Sequence, residues 1–183
     1  MRGRRDFFKE LFSSVTKAAA EFAYEVSKTT ENLVRPPGSA DEDTFTALCE
    51  KCGKCVENCK TGVLEKYKKL NPIILETPFM NFDNNYCEQC YTCIESCSSG
   101  ALKFENLKKY RYVAKLLKDR CVAFKEMFCL TCYWSCPNID KAITIRDRSY
   151  PEFHPEECKG CGRCINACPT EPKSIIMVKV ENE

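Results

Sequence analysis

Between residues 6 and 32 apolar side chains recur at intervals of three and four: Phe8, Leu11, Phe12, Val15, Ala19, Phe22 and Val26. Lys9, Glu10, Lys17, Glu21, Glu25 and Lys28 occupy the opposite face, so the spacing predicts one amphipathic helix. Arg35-Pro-Pro-Gly38 ends it. Ser39-x-x-Glu42 reads as a capping box that opens a short second helix. Beyond it, residues 65–85 hold proline and asparagine without a period and predict an irregular loop. Tyr110, Val113, Leu116 and Leu117 stand at helical spacing in a basic stretch, 107–118, that reads as a linker. Ala142-Ile-Thr-Ile-Arg146 and Ile175-Ile-Met-Val178 predict two short strands that pair with each other. Gly62-Val-Leu64 and Gly100-Ala-Leu-Lys-Phe104 are weaker echoes of that pattern in the first half.

Composition changes this picture. Of 183 residues, 16 are cysteine, so much of the apolar content is thiol and the remaining core is thin. A chain of this kind needs disulfides or metal as staples. No cleavable signal with a long apolar run precedes the cysteines, and no stretch of about 18 apolar residues offers a membrane span.

The spacing decides between the staples. Every cysteine falls in one of four runs. Run one is Cys49-x2-Cys52-x2-Cys55-x3-Cys59, and run two is Cys87-x2-Cys90-x2-Cys93-x3-Cys97. Run three is Cys121-x7-Cys129-x2-Cys132-x3-Cys136-Pro137, and run four is Cys158-x2-Cys161-x2-Cys164-x3-Cys168-Pro169. Three cysteines at three-residue intervals turn their thiolates onto one cubane. The fourth, at the start of a helix that points away, ligates the other cluster of a pair. Soft thiolates in fours suit [4Fe–4S]. Zinc ribbons space their C-x2-C pairs by a longer gap, and a disulfide framework does not repeat one spacing. Lys60 and Ser98 replace the usual proline after runs one and two, and residues 122–128 must bulge to let Cys121 reach a cluster. Gly53, Gly160 and Gly162 are expected to let backbone approach the clusters.

Pairing adjacent runs gives four ligand sets. They are Cys49, Cys52, Cys55 and Cys97; Cys87, Cys90, Cys93 and Cys59; Cys121, Cys129, Cys132 and Cys168; and Cys158, Cys161, Cys164 and Cys136. A nested pairing, one with four and two with three, stays open. The fold class expected is α+β, with two tandem dicluster ferredoxin-like modules and an N-terminal amphipathic helix. The domains are then 1–38, the helix and linker; 39–118, module one; and 119–183, module two.

Other residues add less. Tyr133, Trp134, Phe124 and Phe128 surround run three and are expected to shield a cluster from water. His154, between Phe153 and Pro155, reads as a surface loop residue. Gly160-x-Gly162 is too short for a nucleotide loop, and no P-loop, Ser/His/Asp set or acid–base carboxylate pair is recognisable. The formal charge of +2 falls to roughly −6 once sixteen thiolates and four cores of about +2 each are counted. Lys108, Lys109, Arg111, Lys115 and Lys118 offset it or meet an acidic partner; nucleic-acid binding is the weaker reading of that patch. The N-terminal helix either packs on the cluster core or docks a partner subunit, its mixed charge arguing against a membrane anchor. Arg4-Arg5-Asp6-Phe7-Phe8-Lys9 resembles a twin-arginine export motif, yet Lys17, Glu21 and Glu25 interrupt the apolar stretch that should follow. The expected location is cytoplasmic, with periplasmic export by a degenerate signal as the alternative.

From Val34 onward the chain is similar to the nitrate-reductase-associated and methylamine-utilisation ferredoxins, the MauM/NapG-type polyferredoxins. Val34-Arg-Pro-Pro-Gly38, Phe45 before Cys49, the widened third run ending in Cys136-Pro137, Asn138-Ile-Asp140, Ala142-Ile143 and Cys158-Lys-Gly-Cys-Gly-Arg-Cys164 carry the resemblance. It implies four [4Fe–4S] clusters and electron relay to or from a larger redox enzyme. The chain departs in its charged N-terminal stretch and in the two-residue middle gap of run two. Two rival classes stand beside the relay. One is an assembly or maturation factor for a redox enzyme. The other is an enzyme in its own right, which radical chemistry would require to keep an open iron site. Sixteen cysteines filling four sites leave none, so the chain reads as an electron-transfer protein or small subunit rather than an enzyme.

Overall fold

A short helix follows the second cysteine of every run, and the rest of the fold is arranged around these four helices. The computed structural model describes residues 33–69, 71–107 and 110–181. Val34–Glu183 forms one unit, separate from Met1–Leu33. The amphipathic helix expected over 6–32 lies outside the described residues, as do Lys108 and Lys109 of the basic stretch. Among the described residues no helix is long and apolar enough to cross a membrane.

In chain order the elements are α1 (Glu42–Leu48), α2 (Lys54–Glu57), β1 (Leu64–Lys66), β2 (Pro78–Met80), α3 (Thr92–Glu95), β3 (Tyr110–Leu116), α4 (Thr131–Ser135), β4 (Ile143–Arg146), β5 (Tyr150–Phe153), α5 (Arg163–Ala167) and β6 (Ile175–Glu181). Single 3-10 turns lie at Phe104–Leu107, Val122–Phe124 and Pro155–Glu157. The strands make three antiparallel two-stranded ribbons: β1 with β2, β3 with β6, and β4 with β5. This is a mixed α and β architecture of small elements.

Several local expectations need correction. The stretch 107–118 holds strand β3, not a helix, because Ile175–Glu181 supplies a partner along its whole length, from Tyr110 opposite Glu181 to Leu116 opposite Ile175. Val113 and Ala114 are buried there, and β-branched Val113 suits a strand. The Ile143–Arg146 strand therefore pairs not with the C-terminal strand but with its neighbour Tyr150–Phe153 across a tight turn. Residues 65–85 are only partly irregular: β1 and β2 form a ribbon, and Ile74 between them is fully buried. The cap of α1 is Asp41, whose carboxylate accepts the Thr44 N–H at 2.9 Å, rather than Ser39. Ser39 instead bridges to Leu102 as an extended residue.

The core is built from Phe45, Val63, Leu64, Ile74, Ile94, Val113, Ile143, Ile165 and Ile175 with the inward thiols between them. Arg35 is buried with them, at 1% exposure. Its guanidinium donates to both Glu42 carboxylate oxygens, to Thr77 Oγ1 at 2.9 Å and to the Pro78 carbonyl at 2.8 Å. It also lies 4.8 Å from the centre of the Phe45 ring. One side chain thus ties the approach to run one, helix α1 and strand β2 together. A charge this deep is tolerable only while its partners remain. Replacing Glu42 with alanine is expected to destabilise the iron-loaded protein by about 2–4 kcal/mol. The check is the midpoint of a urea titration; an unchanged midpoint would mean that Arg35 can reach water.

Candidate metal centre

Each short helix brings the third cysteine of its run inward: Cys55 on α2, Cys93 on α3, Cys132 on α4 and Cys164 on α5, all buried. The fourth cysteine does not begin a helix. Cys136 and Cys168 are extended residues at the C-terminal caps of α4 and α5, and Cys59 and Cys97 lie one position past the caps of α2 and α3. Ending the helix there frees the chain to turn the fourth thiol toward a different set of partners.

The loops ahead of the helices share a backbone device. Lys51 and Gly53 in run one, Gln89 and Tyr91 in run two, and Gly160 and Gly162 in run four all have positive φ. Two left-handed residues flanking the second cysteine curl each loop so that its thiols face one side. At Gly162 glycine is also needed for space: a Cβ would sit 2.0 Å from Cδ1 of Phe82. At Gly160 it would sit 2.4 Å from the Tyr112 carbonyl. Another stretch of polypeptide therefore also comes close to Gly160 and Gly162.

The described thiols gather into four groups. Cys55 lies within electrostatic reach of Cys49, Cys97 and Cys52. Cys87 is near Cys59 and Cys90, and Cys93 is near Cys87 and Cys59. Cys132 faces Cys121, Cys129 and Cys168. Cys164 faces Cys158, Cys161 and Cys136. Cys121, after which residues 122–128 form a 3-10 turn and a loop, is buried among its three companions. No cysteine is in a disulfide.

The groups surround space rather than a point. One small cavity is lined by Cys136, Cys158, Cys161 and Cys164 with Ala114, Ile143 and Phe153. Another is lined by Cys121, Cys129, Cys132 and Cys168 with Leu116 and Ile175. Among the described residues no three His, Cys, Asp or Glu side chains converge tightly enough for one metal ion. Four soft sulfurs round an apolar-walled cavity suit a multi-iron core instead.

The electrostatics sort the thiols by position. Burial pushes Cys93 and Cys132 up to about 12, and Cys55 and Cys87 up to about 11; neighbouring thiols add to it. Burial drives Cys164 well above the ordinary value too. These inner sulfurs stay protonated at neutral pH unless a cation takes the place of the proton. Fourth cysteines in two groups go the other way. Burial works to raise Cys97, but the Ser99 hydroxyl and the N–H groups of Leu102, Ala101 and Gly100 outweigh it and hold it low. Cys168 is likewise held low, against burial, by Thr170 and Ser174. Cys90, largely exposed, is lowered by the Thr92 hydroxyl.

These hydroxyls recur two residues after a cysteine. Thr61 lies 3.7 Å from Cys59 Sγ, Thr92 3.5 Å from Cys90, Ser99 3.6 Å from Cys97, Thr131 3.5 Å from Cys129 and Thr170 3.2 Å from Cys168. Backbone N–H groups of Gln89 and Ala114 donate to Cys87 and Cys158, each at 3.4 Å. The cysteine spacing drew attention away from this Cys-x-Ser/Thr pattern, although it is plain in the sequence. Donors to sulfur stabilise added negative charge and raise a cluster's reduction potential.

The aromatics of run three are largely not shields. Phe128 is 78% exposed and Trp134 71% exposed, which overturns the expectation for both. Phe124 packs on Tyr150, 5.0 Å between ring centres, and Tyr133 alone is buried, its hydroxyl donating to Asp140 at 2.6 Å. Helix α4 is too short to bury both Tyr133 and its neighbour, so Trp134 turns outward. His154 is half-buried rather than loose, its Nε2 2.8 Å from Thr144 Oγ1 across the β4–β5 ribbon.

Known proteins carry the same pattern. Residues 48–101 match the 4Fe-4S dicluster domain, and residues 151–173 match the 4Fe-4S binding domain. The chain is 29% identical over 194 positions to the ferredoxin-type protein NapG of Escherichia coli (strain K12), covering 94% of this chain and 84% of that one. It is 31% identical over 164 positions to the methylamine utilization ferredoxin-type protein MauM of Methylorubrum extorquens, covering 82% and 74%. The ferredoxin-type protein NapF of Escherichia coli (strain K12) is 27% identical over 140 positions, covering 75% and 81%. No solved structure matches the chain.

Two outcomes are expected at this site. Thr170→Val should lower one reduction potential by ~40 mV, the equivalent of losing about 1 kcal/mol of hydrogen bonding in a one-electron couple. An electrochemical titration reads it, and an unmoved potential would mean that the hydroxyl does not act on sulfur. In the iron-free chain at pH 8, iodoacetamide should take Cys90 first and Cys93, Cys132 and Cys164 last, the thiolate fraction of Cys93 and Cys132 roughly a thousandfold below that of an ordinary thiol. Peptide mass mapping reads the order; uniform alkylation would show that the thiol groups are not held together without iron.

Proposed function

We propose, for a chain that belongs to the family of ferredoxin-type proteins represented by NapG and MauM, that it is a polyferredoxin with four [4Fe–4S] clusters. It relays single electrons to or from a larger oxidoreductase. Electron transfer through iron–sulfur centres in an oxidoreductase system is the function of the family; the number of clusters and their ligands are our reading. What supports it is that buried thiols have, as electrostatic neighbours, companions of their own run and the fourth thiol of the run beside it. Cys49, Cys52, Cys55 and Cys97 then hold one cluster, and Cys87, Cys90, Cys93 and Cys59 a second. Cys121, Cys129, Cys132 and Cys168 hold a third, and Cys158, Cys161, Cys164 and Cys136 a fourth. The two dicluster modules follow from this exchange of fourth cysteines.

When bound, such clusters supply a reversible one-electron couple. The residues of the chain do the rest. Thiolates would fix the iron, Ala114, Ile143 and Ile175 would keep water away, and the serine and threonine hydroxyls would steady the charge on sulfur. The chain binds no substrate of its own in this reading, which is that of a carrier rather than an enzyme. Residues 1–33, with their amphipathic spacing, serve to dock the partner enzyme. A cytoplasmic setting fits the charged residues that interrupt the stretch after Arg4-Arg5.

Iron and sulfide analysis of the anaerobically purified chain should return about 16 iron; a value far below that would break the four-cluster assignment. Removing the chain from the purified partner system should abolish turnover. Turnover that survives, with the chain needed only while the partner matures, would favour an assembly factor. An anaerobic capture with the full chain should retain a redox enzyme that a chain lacking 1–33 loses.

A further inference from the structure

The four thiol groups do not follow one another in space as they do in sequence. Run two lies against run four. The Cys87 N–H donates to the Cys161 carbonyl at 2.8 Å, and Gln89 Nε2 donates to the Lys159 carbonyl at 2.7 Å. Asn166 Nδ2 donates to the Asp83 carbonyl at 3.3 Å, and the Arg163 guanidinium stacks 4.1 Å from the centre of the Tyr86 ring. Buried Phe82 fills the place that a side chain on Gly162 would need. This seam runs from Phe82 to Gln89 on one side and from Lys159 to Asn166 on the other. It ties a cysteine loop of the first half to a cysteine loop of the second.

Within each half the adjoining helices make the link. Helix α2 packs on α3 and α4 on α5, with Cys55 near Cys93 and Cys132 near Cys164. The Cys87 and Cys158 groups are therefore inner, and the Cys49 and Cys121 groups are outer.

Resting on the four-cluster reading, we propose that electrons pass in single file in the order Cys49 group, Cys87 group, Cys158 group, Cys121 group, with the Cys87–Cys161 backbone hydrogen bond as the crossing between the halves. Each step would oxidise the cluster held by one group by one electron and reduce the cluster held by the next by one, with no bond made or broken. A carrier built this way takes electrons at one end and delivers them at the other. Two unconnected modules would instead each exchange with a partner. Phe82, Gln89 and Gly162 are positioning residues for the crossing: they hold the two loops in register without touching iron.

The test uses dithionite-reduced, iron-loaded protein and electron paramagnetic resonance. Cys52→Ala with Cys129→Ala removes the outer clusters and leaves the inner pair; Cys90→Ala with Cys161→Ala leaves the outer pair. The inner pair should give a broadened, spin-coupled signal that saturates at several-fold higher microwave power than the two sharp, independent signals of the outer pair. An inner pair as sharp and as easily saturated as the outer pair would overturn the order. Where either double variant fails to keep its remaining iron, hydrogen exchange on the unmutated, loaded chain decides. The Cys87 amide should exchange orders of magnitude more slowly than an open loop amide, and exchange at the open-loop rate would overturn the crossing. Iron content separates the two claims. An unmutated chain far below about 16 iron overturns the cluster reading and the file with it. Full iron with an uncoupled inner pair overturns the file alone.

Discussion

Six of the sixteen thiols are buried, and nearly everything else in this structure is a consequence of turning them inward. A thiol-rich interior cannot be packed as a hydrocarbon one is, because its walls enclose cavities rather than interlocking side chains. Its inner sulfurs are also in the wrong state when alone. Burial holds Cys93 and Cys132 protonated far past neutral pH. A cation that takes the place of those protons would relieve this, so metal binding would add to the stability of the folded chain.

The protein meets this demand with short, stiff pieces. Helices of four or five residues have no stability of their own. They are held by the cysteine inside each, by left-handed residues in the loop before three of them and by an extended residue or bend after each. Apart from the sulfurs, polar groups carry an unusual share of the interior. Arg35 joins three segments through Glu42, Thr77 and the Pro78 carbonyl. Asn71, Thr77 and Ser174 are buried as well.

The chemistry was legible in the sequence because metal ligation demands fixed spacings, and those spacings are short. Run four shows its loop geometry outright in Gly160-x-Gly162. Run two reaches the same backbone with Gln89 and Tyr91, residues that give no hint of a left-handed conformation. The strands were harder. Tyr110, Val113, Leu116 and Leu117 satisfy a helical period, and only the distant partner Ile175–Glu181 makes their segment a strand. Ile143–Arg146 reads as the partner of the C-terminal segment, and the nearer Tyr150–Phe153 wins because a tight turn closes at less entropic cost than a long loop. Trp134 and Phe128 looked like shields because a local sequence cannot say which side of a one-turn helix or a loop faces the solvent. The seam between runs two and four could not have been read at all. It rests on Phe82 and Gly162, eighty positions apart and unremarkable each alone.

The ribbon of β3 and β6 joins Tyr110 to Glu181, 71 positions further along the chain. Runs three and four both lie inside that span, and Leu116 and Ile175 at its inner end line the Cys121 cavity. A closure of that length loses entropy early and gains contacts late. During synthesis, Cys121 therefore emerges well before the strand that encloses it. For that interval the thiols of the second half face dioxygen and each other as ordinary nucleophiles, open to sulfenic acid and to wrong disulfides. The ribbon thus sets an order: the thiols of the third run are born early and enclosed late.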